Sequence, residues 1–136
     1  MKKKHIDPKW LPKIMWAYSH WVKIDLWNSE ILFISWQTAS DEKWNPISKD
    51  DIIAETEYIF KNIEKILKEW WLELENIIKV NIYLTNKGDF IYVSPIRNKY
   101  LANSKPATSV TIVKEILQKW CNIKIDIIAV KWKEMF

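Results

Sequence analysis

A chain of 136 residues is long enough for one hydrophobic core and too short for two, so a single domain over residues 1–136 is expected. No run approaches the roughly 18 uninterrupted apolar residues of a membrane span, and the basic start Met1-Lys2-Lys3-Lys4-His5 leads into Pro8 and Lys9 rather than an apolar segment, so neither a membrane protein nor an export signal is expected. The net charge of +4 comes from dispersed lysines and a single arginine, Arg97, which suits an evenly solvated cytoplasmic surface better than a nucleic-acid footprint.

Residues Trp21 to Ile24 and Ile31 to Ser35 read as two strands joined by a turn over Asp25 to Glu30. Gln37 to Pro46 is polar and reads as a loop. Ser48 is placed as a helix N-cap with Asp51 at the capping-box position, followed by Ile52, Thr56, Ile59, Phe60, Ile63, Ile66 and Leu67 at three- and four-residue spacing. That spacing predicts a helix of about five turns with one buried face, ending near Trp70-Trp71. Ile78, Val80, Ile82 and Leu84 alternate with Lys79, Asn81 and Tyr83, the period of a strand buried on one side. Pro95 places the start of a second helix around Ser94-Pro95. Thr108 to Val113 and Ile123 to Lys131 read as two further strands. The order ββαβαββ predicts an α+β two-layer sandwich, a mixed sheet with two helices on one face.

The inventory of reactive groups excludes several chemistries. His5, His20 and Cys121 are isolated, so no metal site is expected, and one cysteine leaves no intramolecular disulfide. No glycine-rich phosphate loop and no nucleophile elbow is present. The acidic residues Asp50, Asp51, Glu55, Glu57 and Glu64 fit the first turn or the solvated face of the first helix. The anomaly is ten tryptophans beside one glycine, Gly88, where ordinary usage predicts roughly nine or ten glycines.

Taken together, Pro8-Lys9-Trp10-Leu11-Pro12, Trp16-Ala17-Tyr18-Ser19 and Leu32-Phe33-Ile34-Ser35-Trp36-Gln37, then Glu55-Thr56, Asn76 to Val80, Asp89-Phe90, Pro106-Ala107-Thr108-Ser109 and Ile125 to Val130, form one continuous series of motifs. In this the chain resembles the RidA/YjgF family, whose patterns P-x-G-L-P, G-x-Y-S and F-x-S-G-Q match with tryptophan in place of glycine. Trp10, Trp16, Trp27, Trp36, Trp44 and Trp120 stand where that family carries glycine, Trp70 or Trp71 stands at the glycine ending the first helix, and Trp21 at a small-residue position. A bulky aromatic at a turn that needs positive φ costs on the order of 1–3 kcal/mol. The expectation is therefore that a codon written here as Trp, UGA, is decoded as Gly at the source. The alternative is genuine tryptophans in core and turns.

The resemblance implies a chorismate-mutase-like fold assembled as a homotrimer around a central barrel, with clefts between subunits. It implies hydrolysis of reactive enamines or imines, or binding of another carboxylate metabolite, with no metal or cofactor. The family's carboxylate-binding arginine falls on Thr108 and its water-orienting glutamate on Lys124, with Asp126 two residues on. Tyr18 and Ser35 match substrate-binding positions, and the asparagine of the second helix becomes Ser94. Two expectations follow: an imine deaminase in which Lys124 supplies the cation lost at Thr108 from a neighbouring strand, or a non-catalytic trimer that binds a metabolite or partner. Some members carry a ribonuclease label, but no nuclease acid/base pair is recognisable here.

Overall fold

The alternation of apolar and polar residues produces one sheet. In the computed structural model, which describes residues 2–14 and 17–133, the elements are β1 (Lys2–Ile6), β2 (Trp21–Asp25), β3 (Ser29–Gln37), α1 (Ile52–Glu69), β4 (Ile77–Leu84), α2 (Phe90–Leu101), β5 (Ala107–Ile112) and β6 (Ile123–Trp132). The sheet order is β1-β2-β3-β6-β4-β5. All pairs are antiparallel except β4 with β5, which run parallel because α2 carries the chain back across the sheet. Ile123, Ile125, Ile127 and Ala129 of β6 point to one face and are buried with Val80, Ile82 and Leu84 of β4 against Ile59, Phe60, Ile63, Ile66 and Leu67 of α1 and Val93 of α2. Each such side chain removed from water stabilises the fold by about 1.5–3 kcal/mol. Both helices therefore cover one face, the α+β arrangement expected. Among the described residues no helix is long and apolar enough to cross a membrane.

The opposite face is covered by no helix among the described residues. It carries Ile31 and Phe33 of β3, Lys124, Asp126, Ile128 and Val130 of β6, and Lys79, Asn81 and Tyr83 of β4, as the strand register requires. Phe33 remains 39% exposed there.

Three expectations need correction. The sheet has a sixth strand, β1, which adds to β2 through the pairs Lys3↔Ile24 and His5↔Val22. Its sequence KKKHI has no apolar alternation because it is an exposed edge, where lysines guard against further pairing. The cap of α1 is Asp51, not Ser48: its Oδ1 accepts from the Ala54 N–H at 3.0 Å, and α1 begins at Ile52. α2 starts at Phe90, not at Ser94-Pro95. Pro95 sits inside it at an exposed position, and Ile91, whose carbonyl loses its helical partner, is an exposed residue as well.

The tryptophans divide into distinct groups. At the end of α1 the Leu72 N–H donates to the Leu67 carbonyl (3.0 Å) and the Trp71 N–H to the Lys68 carbonyl (3.2 Å), while Leu72 is buried. This is the Schellman closure of a helix, whose left-handed position favours glycine, and Trp71 occupies it at φ 60°. Trp120 lies at φ 69° in the turn closed by the Cys121 N–H on the Gln118 carbonyl (3.2 Å), at the position where a type II turn favours glycine. Trp44, at φ 67°, completes the set, so three of the five left-handed non-glycine residues among those described are tryptophan. Trp10, Trp27 and Trp36 do not adopt positive φ, so no left-handed strain arises at them. Trp16 lies outside the described residues. Trp21, fully buried in the core, and Trp70 each bury an indole Nε1 with no hydrogen-bond partner among the described residues.

Candidate functional site

The ends of β3 and β6 bring four of the expected or adjacent residues into one aromatic cluster. The Lys124 ammonium lies 4.9 Å from the Tyr83 ring centroid and 5.6 Å from that of Trp36. Lys124 and Tyr83 are direct cross-strand partners, which explains the first contact. The Trp36 ring packs 6.4 Å from Tyr18 and 6.1 Å from Trp44. Tyr18, Trp36, Trp44, Leu117, Gln118 and Lys119 line a predominantly apolar cavity of about 550 Å³. Partial burial, with the Asp7 carboxylate adding to it, raises the Tyr18 phenol above its ordinary value and keeps it protonated as a donor.

The loop carrying Tyr18 is fixed from below. The Ser35 hydroxyl donates to the Ser19 carbonyl at 2.7 Å, and the Ser35 N–H donates to the His20 carbonyl at 2.9 Å. Ser35 thus shapes the wall of the cluster through backbone contacts. His20 is buried against the Pro12 carbonyl, to which its Nε2 hydrogen-bonds, and burial lowers its value, so it is a neutral structural donor.

Thr108 and Lys124 do not share a cleft within one subunit. β4 lies between β5 and β6, so their strands are not neighbours. Thr108 pairs with Val80, which faces the helices, whereas Lys124 pairs with Tyr83 on the open face three residues further along β4. The expected transfer of charge from Thr108 to Lys124 on an adjacent strand fails inside a single chain for this reason. Thr108 instead donates its hydroxyl to the Pro106 carbonyl (3.0 Å) and lines a second cavity of about 660 Å³ with Arg97, Asn98, Leu101 and Lys105. Ser94 belongs to that side: its Oγ accepts from Arg97 Nη2 at 3.1 Å. Arg97 and Tyr83 were not singled out from sequence. The usable signals were the chain's sole guanidinium one helical turn from Ser94, and the polar phase of β4.

Asp126 is held by Asn81, whose Nδ2 donates to Oδ1 at 2.8 Å. A third polar group, Glu55, is buried at the opposite end of α1 from its Schellman closure. It accepts from the Asn122 N–H (2.8 Å) and Nδ2 (3.1 Å), fastening the start of β6 to the helix. Burial pushes its carboxyl above the ordinary range, and the two Asn122 bonds offset part of that rise. Cys121, next to it, is a buried thiol raised by desolvation, with Sγ 3.6 Å from Ser40 Oγ. No cluster of three or more His, Cys, Asp or Glu that could hold a metal ion occurs among the described residues.

The family model described as Endoribonuclease L-PSP matches residues 11–131. A RutC family protein of Pyrococcus horikoshii is 32% identical over 123 residues, covering 90% of this chain and 92% of that one. Yeast Mmf1 superposes with a TM-score of 0.82 at 25% identity, over 96% of this chain and 99% of the other. YyfA of Yersinia pestis, a Rid-family protein described as of unknown function, gives 0.80 at 26% identity over 94% and 98%. With its sheet order, its two helices and its motifs in one continuous series, the chain belongs to the Endoribonuclease L-PSP family, the RidA/YjgF/RutC group.

Proposed function

We propose that this protein is a cytoplasmic RidA-like hydrolase, acting on small imines or enamines that carry a carboxylate, in clefts completed by the neighbouring subunit of a homotrimer. The observation that carries this is the convergence of Tyr18, Lys124 and Tyr83 around position 36, beside an apolar cavity large enough for a small amino-acid-derived molecule. The separation of Thr108 from Lys124 within one chain supports a shared site, with Tyr18, Ser35 and Lys124 from one copy and Thr108 and Ser94 from the next. In the reaction, a water oxygen adds to the imine carbon and gives a carbinolamine. The nitrogen takes up a proton, the C–N bond breaks as the carbinolamine hydroxyl gives up its proton and becomes the carbonyl, and ammonia leaves a 2-keto acid; the hydroxyl proton restores the donor. Lys124, an ammonium held among aromatic faces, serves as the proton donor to the departing nitrogen. No metal or cofactor is required, because the imine carbon is already electrophilic.

One observation favours a second reading, a trimer that binds a metabolite or a partner without turnover. Lys124 stands where the family's water-orienting carboxylate would be, and the nearby Asp126 carboxylate is engaged by Asn81. The deciding experiment is a coupled assay that generates 2-iminobutanoate or 2-iminopropanoate in situ. It is run on the parent protein, on Lys124→Ala, and on Thr108→Arg with Lys124→Glu. Activity abolished by Lys124→Ala supports the hydrolase. An inert parent with activity only in the double variant establishes the binding trimer. Brisk turnover unaffected by Lys124→Ala overturns the site.

We further infer that tryptophans at glycine positions are decoded as glycine at the source. Trp44, Trp71 and Trp120 at positive φ support this most directly, and Trp36 and Trp44 would then vacate part of the cavity. The intact mass of protein isolated from its native source would be lower than the written sequence by several Trp-to-Gly differences. A native mass equal to the written one refutes it.

A further inference from the structure

The cavity beside Thr108 is lined by cations. Among the described residues its walls include two cations, Arg97 and Lys105, and no acid. Arg97 is not among the ion pairs of the described residues, which join Lys23 to Glu30, Lys99 to Glu57 and Lys133 to Asp25. Its guanidinium is held by neutral groups instead: Nη2 donates to Ser94 Oγ (3.1 Å), Nε donates to Asn98 Oδ1 (3.2 Å), and the Phe90 ring lies 5.4 Å away. Those contacts use two of its five N–H donors and leave three. A guanidinium oriented by a hydroxyl, an amide and a ring, facing a cavity that lacks a counter-charge, is arranged to receive a planar anion. Lys105, set at φ 45° where its N–H closes α2 on the Leu101 carbonyl (3.0 Å), adds a second positive charge. The Thr108 Oγ1, donating to the Pro106 carbonyl, keeps its lone pairs.

We propose that Arg97, with Lys105 beside it, binds the carboxylate of a small 2-oxo or 2-imino acid, so that the anchor absent from strand position Thr108 is supplied by helix α2 on the wall of the same cavity. That the ligand is of this class rests on the hydrolase reading; that the pocket binds a carboxylate does not. The probes are 2-oxobutanoate, the stable product analogue, and butanoate, which keeps the carboxylate and lacks the oxo group. Both are titrated by calorimetry into the parent, Arg97→Ala, Arg97→Lys, Lys105→Ala and the control Lys65→Ala, with melting curves confirming that each variant is folded.

Loss of a charge-assisted, forked contact is expected to weaken both probes on the order of ten- to a hundredfold in Arg97→Ala. Arg97→Lys, which keeps charge and loses the fork, is expected to fall between Arg97→Ala and the parent. Lys65→Ala is expected to leave butanoate affinity within about threefold, because Lys65 lies over the Trp10 ring and does not line the cavity. Arg97-dependent binding in a protein that fails the deaminase assay would retain the anchor and reject the hydrolase. Turnover with an unchanged KM in Arg97→Ala would reject the anchor and retain the hydrolase. Absence of binding of either probe to the folded parent, or binding indifferent to Arg97, overturns the proposal.

Discussion

Trp71→Gly isolates the cost of a bulky residue in the left-handed position. The indole is 82% exposed, so its removal sacrifices little packing. The Trp71 N–H bond to Lys68 and the bond from Lys131 Nζ to the Trp71 carbonyl at 2.6 Å involve backbone atoms and survive. Left-handed φ costs an ordinary L-residue about 1–2 kcal/mol, and glycine relieves it. Glycine in return adds about 0.5–1 kcal/mol of unfolded-state freedom. The difference favours the variant by about 0.5–1 kcal/mol, which for a domain of this size raises Tm by about 2–4 °C. Trp27→Gly is the control: Trp27 is 86% exposed but not at positive φ, so the entropic penalty stands alone and Tm falls by a similar amount. Calorimetric melting of both variants beside the parent measures the opposition in sign. A lower Tm in Trp71→Gly, or an equal rise in both, refutes the reasoning. Trp120 and Trp44 give smaller net effects. Lys49 Nζ sits 3.8 Å over the Trp120 ring, and Trp44 donates Nε1 to the Lys13 carbonyl at 3.4 Å while packing on Trp36 and His20, so relief of strain is offset by lost contacts.

Two other outcomes are expected. Glu55 has a folded value above its unfolded one, so it contributes less to stability as pH rises through that interval. Glu55→Gln should therefore gain relative to the parent in melting experiments between pH 4 and pH 7, and a difference that does not change with pH contradicts the burial argument. The open face of the sheet, with Ile31, Phe33, Ile128 and Val130, must be covered by other subunits if the trimer forms. Light scattering should report a trimer for the parent at micromolar concentration and dissociation for Ile128→Lys, whereas a stable parent monomer contradicts the assembly.

The elements whose burial imposes a period were readable from the chain alone. All seven apolar or small positions assigned to α1, from Ile52 to Leu67, are buried, and the alternation Val80, Ile82, Leu84 marks the core face of β4. β1 was not readable, since an edge strand exposed to solvent has no apolar phase to announce it. The cap at Asp51 and the start at Phe90 went astray because Ser48 and Pro95 are strong local signals that tertiary packing overrode. The candidate residues could be named from the sequence, but which of them come together could not. Tyr18 and Lys124 do converge, but only the register Tyr83↔Lys124 and the insertion of β4 between β5 and β6 show that Thr108 belongs elsewhere. Sheet order is a long-range property, and nothing in the local sequence of β5 or β6 encodes it.

The order β1-β2-β3-β6-β4-β5 also sets a timetable. β6 is the strand that joins the amino-terminal hairpin system to the β4-α2-β5 unit, and it is the last of the six to be synthesised. Until it emerges, β3 and β4 each present an unpaired inner edge to solvent, and α1 lacks the Ile123 to Ala129 floor on which it packs. Closure of the sheet therefore depends on contacts of long sequence separation, the class of contact that slows folding. The Glu55 carboxylate of α1, which accepts from the Asn122 N–H and side-chain amide, fastens the end of β6 that is synthesised first.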